Sequence, residues 1–149
     1  MALFKADLPD VNVWLALAAP DHVHHDRAVA YWRNESLPAM VFCRTTMLGF
    51  VRVSSSPRFM DGQPLTPIAA WNAWQKLCDV PGITLAPEPP GCDGHLAGWV
   101  GSSLVSSRLW TDAWLAAFAV AGNYRLVSFD SDFSRFAGLA WKHLVPETD

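Results

Sequence analysis

Asp10, Asp112, Asp130 and Asp132 are the residues of this 149-residue chain whose type and placement could do chemistry. Carboxylates gathered within a few ångströms repel one another, and a divalent cation relieves that repulsion. Hard oxygen ligands of this kind suit Mg²⁺ or Mn²⁺. Such an ion polarises a phosphoryl oxygen and yields hydroxide near neutral pH, the chemistry of phosphodiester hydrolysis without a covalent intermediate. Each aspartate also has a plainer reading. Asp112 is a favourable charge at a helix start. Asp10 and Asp130 are turn residues after strands, and Asp132 is a helix cap. The case for a shared site rests on the elements that carry them.

Leu3 to Leu8 reads as a strand that stops at Pro9-Asp10. Val11, Trp14, Leu15 and Ala18 follow helical spacing up to Pro20, and Asp21 is a candidate cap for a second helix to about Glu35. Ala39 to Cys43 reads as a buried strand, followed by a helix that Thr45 or Thr46 caps and Ser54-Ser55-Ser56-Pro57 breaks. Asp61-Gly62 marks a turn, and Thr66-Pro67 starts a fourth helix. Ile83 to Ala86 is a short strand, and Gly94 to Val100 a fifth helix. Thr111 caps a sixth helix, Asp112 to Ala121, which Gly122-Asn123 ends. Arg125 to Phe129 is a strand ending at Asp130, then a helical turn follows and a last strand near Ala140 to Leu144.

Strands alternating with helices predict an α/β fold: three layers, α/β/α, with a mostly parallel central sheet and one domain over 1–149. The functional crevice of such a sheet lies at the carboxyl ends of its strands. Asp10 and Asp130 would both project there, after the first and fourth strands. A helix that follows a strand begins at that same edge, so Asp112 can join them, and Asp132 lies two residues beyond Asp130.

These motifs, in order, resemble a known family. Asp10-Val11-Asn12-Val13 looks like the opening D-x-N-V of PIN-domain ribonucleases, in particular the VapC toxins of bacterial toxin–antitoxin pairs. Asp21-His22-Val23-His24-His25 with Ala30-Tyr31-Trp32 resembles the family's first helical hairpin, and Gly49-Phe50-Val51-Arg52-Val53 its third helix. Gly62 to Thr66 resembles the loop into the fourth helix. Thr111-Asp112-Ala113-Trp114-Leu115-Ala116-Ala117 is similar to its D-A-x-L-A-A motif. Ser128-Phe129-Asp130-Ser131-Asp132-Phe133 is similar to its closing T-F-D-x-D-F.

The resemblance implies a Mg²⁺- or Mn²⁺-dependent endoribonuclease with Asp10, Asp112 and Asp130 on the metal and Asp132 as a further acid. Asn12 and Ser128 would hold carboxylates or a metal-bound water by hydrogen bonds. It also implies a structured RNA substrate, a VapB-like antitoxin and a second copy of the chain as partners. The family usually has one more acid on the third helix. Gly49 stands there, and no Asp or Glu occurs between Glu35 and Asp61. Thr46 or a neighbouring hydroxyl could complete the site through water. The alternative is a PIN-fold protein that binds RNA or antitoxin without efficient cleavage.

Composition sets the remaining bounds. Hydrophobic residues make up 51% and charged residues 17%, which excludes disorder. Eleven aspartates against three glutamates favour caps, turns and ligand positions over plain helix surface. A net charge of −3 excludes a basic nucleic-acid-coating protein but not a nuclease. Cys43, Cys78 and Cys92 form no CxxC and cannot all pair, which argues for a reducing, cytoplasmic setting. No secretory signal is visible and no apolar run is long enough for a bilayer, so no membrane partner is expected. Arg44, Arg52, Arg58, Arg108 and Arg135 are candidates for RNA phosphate contact. His22, His24 and His25 read as a solvated face, and His95 and His143 as ordinary histidines. Trp71, Trp74, Trp110 and Trp114 follow core spacing, while Trp14 and Trp32 could face a partner protein. The D-x-D at Asp130 lacks the downstream domain of a phosphatase, and no Walker A or G-x-S-x-G pattern occurs.

Overall fold

A computed structural model describes residues 3–58 and 63–146. The expected turn at Asp61-Gly62 lies outside those residues. Five strands form one sheet: β1 (Ala6–Pro9), β2 (Met40–Phe42), β3 (Ile83–Leu85), β4 (Tyr124–Ser128) and β5 (Trp141–His143). Their order is β3-β2-β1-β4-β5, and every pairing is parallel. The order reverses between β1 and β4, which pair from Ala6↔Tyr124 to Pro9↔Val127. That reversal is where an open parallel sheet leaves a crevice.

Six helices cover the sheet: α1 (Val11–Ala18), α2 (His25–Asn34), α3 (Arg44–Ser54), α4 (Pro67–Asp79), α5 (Cys92–Gly101) and α6 (Trp110–Gly122). Alternate residues of each strand face opposite layers, as the two-residue period requires. Ala6, Leu8, Val41 and Leu126 pack with α5 and α6. Met40, Phe42 and Val127 pack with Val13 and Trp14 of α1, Tyr31 of α2, Met47 and Phe50 of α3 and Trp74 of α4. The three-layer α/β/α arrangement is therefore as expected.

Several element ends differ from the sequence reading, each for a local reason. The second helix starts at His25, not at Asp21, because the His22 ring accepts the His24 N–H at 3.0 Å and holds a turn ahead of it. That shift leaves Val23 exposed and buries Tyr31, while Trp32 keeps an exposed face. The third helix is capped by Cys43: Thr46 Oγ1 accepts the Cys43 N–H at 3.0 Å and donates to the Cys43 carbonyl at 3.1 Å. Thr111 is inside α6, which is entered through a 3-10 turn at Ser107–Leu109. Thr66 caps α4 as expected, and Asn123 ends α6 with φ +58°. Trp14 is fully buried, stacked on Phe42 at 4.0 Å, so it does not face a partner, while Trp32, Trp71 and Trp110 keep exposed faces.

One buried charge sits inside the sheet itself. Asp7 of β1 is fully enclosed and accepts bonds from Arg125 Nε (2.7 Å) and Nη2 (2.8 Å), Tyr31 Oη (2.6 Å) and the Leu37 N–H (3.0 Å). Asp7 and Arg125 are register partners, so with Tyr31 the pair ties β1, β4 and α2 together. Burial and the Asp7 charge push the Tyr31 phenol far up, which keeps it a neutral donor.

Candidate functional site

Asp10 ends β1 and caps α1. Its backbone N–H bonds to the Val127 carbonyl of β4 at 2.8 Å, which fixes the residue to the neighbouring strand end. One carboxylate oxygen accepts the Val11 N–H at 2.8 Å and the other accepts Ser128 Oγ–H at 2.9 Å. Ser128, fully buried at the end of β4, also accepts from Asn12 Nδ2 at 3.1 Å and from the Asp130 N–H at 2.9 Å. Asn12 Oδ1 in turn accepts the Phe129 N–H at 3.4 Å. One hydroxyl therefore orients two acids and is itself held by an amide. Asp130 accepts the Asp132 N–H at 2.9 Å and caps the 3-10 turn Ser131–Arg135.

Asp112 enters from the third residue of α6 and is half-buried. No described side chain or backbone N–H bonds to its carboxylate. Burial first, then the charges of Asp10, Asp130 and Asp132, push its pKa from 3.8 up to about 6. Burial also raises Asp10, against the lowering effect of the Ser128 and Val11 hydrogen bonds. Asp10, Asp112 and Asp130 thus share one field at the carboxyl edge of the two central strands. As the side chains stand, no three His, Cys, Asp or Glu among the described residues are gathered closely enough to hold a metal ion. The donor chemistry nevertheless fits a hard divalent cation: three carboxylates at one edge, one of them without hydrogen bonds and raised by its neighbours.

Asp132, expected as a further acid of the site, contributes to the field at Asp112 and is also ion-paired. Its Oδ2 accepts Arg108 Nη1 at 2.9 Å and its Oδ1 accepts Arg135 Nη2 at 3.1 Å. The Arg108 hydrogen bond, foremost, holds its carboxyl below the ordinary range. Thr46 is likewise committed: its hydroxyl serves the α3 cap described above. Arg52, with Asp10, Asn12, Thr45 and Gly49, lines a cleft of about 860 Å³. Arg44 lies on an adjoining cavity of about 430 Å³ with Glu88, Trp114 and Phe118.

The missing third-helix acid has a packing counterpart. A Cβ added at Gly49 would lie 2.6 Å from Cγ2 of Val11. The Val11 side chain on α1 therefore occupies the space that a Cβ at position 49 would take. The linear pattern does not signal that Val11 fills this place. Nor does it show that His143 Nε2 meets the Phe129 carbonyl at 3.0 Å while His24 stacks on the Phe129 ring at 4.7 Å, bracing the Ser128–Asp130 turn.

A doubly covered parallel sheet with aspartates at its central switch point is the architecture of the PIN domain, whose family model matches residues 8–139. Ribonuclease VapC41 of Mycobacterium tuberculosis is 34% identical over 143 residues, covering 93% of this chain and 98% of that protein. Ribonuclease VapC44 of the same organism is 36% identical over 143 residues, covering 93% and 96%. Among solved structures, Mycobacterium tuberculosis VapC20, described as a sarcin–ricin loop cleaving toxin, superposes with a TM-score of 0.64 at 17% identity over 95% of this chain and 100% of that one. VapBC2 of Rickettsia felis, bound to a promoter DNA fragment, gives 0.64 at 12% identity over 93% and 98%. The chain belongs to the PIN-domain family.

Proposed function

We propose that this chain is a VapC-type endoribonuclease toxin: a Mg²⁺- or Mn²⁺-dependent hydrolase of RNA phosphodiester bonds, neutralised by a VapB-like antitoxin, acting in the cytoplasm as a homodimer. The observation that carries the reading is the shared field of Asp10, Asp112 and Asp130, expressed in the pKa of Asp112 near 6. The relatives named as VapC ribonucleases support the substrate class, and the VapBC complexes among the structural neighbours support the antitoxin. No described helix is long and apolar enough to cross a membrane.

Asp10, Asp112 and Asp130 would hold the metal. When bound, the ion supplies Lewis acidity toward a phosphoryl oxygen and lowers the pKa of water. The chain's own residues set the geometry. Ser128 fixes Asp10 and the Asp130 backbone, and Asn12 fixes Ser128. Arg52, which lines the cleft, would meet RNA phosphate, and Arg44 lines the neighbouring cavity. A proton on Asp112 competes with the cation, so metal affinity rises as pH passes through about 6.

The test is RNA decay. Purified protein with total RNA and Mg²⁺ or Mn²⁺ degrades the RNA, and the same protein carrying Asp10→Asn does not. Equal decay in both sinks the assigned site. A second reading, an RNA- or antitoxin-binding module without efficient cleavage, is favoured by Val11 filling the place of a Cβ at position 49. No decay from either protein, with antitoxin or RNA binding retained, selects it.

A further inference from the structure

We propose that Asp132 is a positioning residue that sets Arg108 and Arg135 as a two-guanidinium clamp for an RNA phosphate beside the scissile one. The inference rests on the ribonuclease reading above and extends it. The geometry is specific. One carboxylate takes Arg108 Nη1 at 2.9 Å on one oxygen and Arg135 Nη2 at 3.1 Å on the other. Arg135 Nε also donates to the Asp132 carbonyl at 3.2 Å, which fixes the plane of that guanidinium.

Two cations on one anion leave a net charge of +1 at the rim of an acidic crevice. Most of the donors remain available. Arg108 uses one N–H of its five and its side chain is 66% exposed. Arg135 uses Nε and one Nη2 hydrogen, and its side chain is 35% exposed. Planar donor forks of this kind match phosphate oxygens. Their place is fixed by the acids on either side. Arg108 precedes Asp112 by four residues, and Asp132 follows Asp130 by two. Arg108 lies within the field of both Asp112 and Asp130. A polyanion approaching three carboxylates needs a positive contact close by, and these are the guanidiniums that two of the acid-bearing segments present. An acid with both oxygens engaged by arginine orients cations for RNA.

The probe is a fluorescein-labelled 12-nucleotide single-stranded RNA of mixed sequence, bound by protein carrying Asp10→Asn so that it is not cut. Anisotropy is read in Mg²⁺ across a KCl series. Arg108→Ala and Arg135→Ala are each expected to weaken binding roughly tenfold, the loss of one charge-assisted contact. Each should lower the slope of log affinity on log salt by about 0.7. Arg108→Lys should keep the slope and recover only part of the affinity. In otherwise unsubstituted protein, Asp132→Asn should leave Mn²⁺ affinity by calorimetry within twofold and raise KM for RNA cleavage more than it lowers kcat. Parent protein that binds the RNA while both arginine variants match it in affinity and slope overturns the clamp alone. A tenfold loss of Mn²⁺ affinity in Asp132→Asn overturns it in favour of metal ligation. A parent that binds no RNA overturns the clamp together with the reading beneath it.

Discussion

Replacing Asp112 by Asn removes a charge that the crevice holds at a cost in the absence of cation. A carboxyl whose pKa rises from 3.8 to about 6 on folding is ionised in the folded protein at a penalty of about 3 kcal/mol, at about 1.4 kcal/mol per tenfold change in protonation. Asp112 is only half-buried, so solvent screening reduces this to about 1–2 kcal/mol. The sign follows from linkage. An acid with a raised folded pKa binds more protons in the folded state, so stability falls as pH climbs from 3.8 to about 6 and stays low above it. Metal-free Asp112→Asn should therefore melt higher than the parent at pH 7.5, by roughly 2–6 °C for a chain of this size. The gain should be about half as large at pH 5, where the folded carboxyl is largely protonated. With Mn²⁺ added, the parent should gain stability and the variant should gain much less. Differential scanning fluorimetry at the two pH values, with EDTA and with Mn²⁺, reads all of this. A variant that melts lower than the parent at pH 7.5 in EDTA, or a gain that is the same at both pH values, would refute the electrostatic account of the site.

Two further outcomes follow from packing. Gly49→Ala should destabilise the protein by about 1–3 kcal/mol, because its Cβ would meet Val11 at 2.6 Å. Adding Val11→Ala should recover part of that loss; a double-variant cycle in urea with no coupling between the two sites rules out the contact as the cause. Asp7→Ala should cost about 3–5 kcal/mol, since it leaves Arg125 charged and largely enclosed without its partner. A urea midpoint close to the parent's would show that water takes over the role of Asp7.

The sheet and its helical layers were legible because their signals are local and periodic. Buried strands read as short apolar runs, Thr66-Pro67 and Gly122-Asn123 punctuate helices, and Asp10 and Asp130 sit where two strands must end. The helix starts that differed did so because their caps come from unexpected partners: a histidine ring before α2, and a Cys43–Thr46 pair before α3. Neither histidine nor cysteine announces itself as a cap. Asp7 carries no signal in the sequence, because a lone acid inside a strand means nothing without its register partner Arg125.

For the candidate site the division is similar. Sequence alone determined which acids can reach the carboxyl edge, since each position depends only on where its own strand stops or its helix starts. It determined that Ser128 and Asn12 stand near them, and that Gly49 lacks a side chain. Only the tertiary structure decided what each group faces. Asp112 is left without a hydrogen bond and lifted to about 6, because burial and neighbouring charges come from three separate segments. Asp132 turns to Arg108 and Arg135, although it lies two residues from Asp130. Val11 fills the space beside Gly49. These choices depend on contacts between residues as many as 118 positions apart in the chain, as in Ser128 with Asp10. A linear pattern records the type and order of side chains, whereas charge and packing act through space.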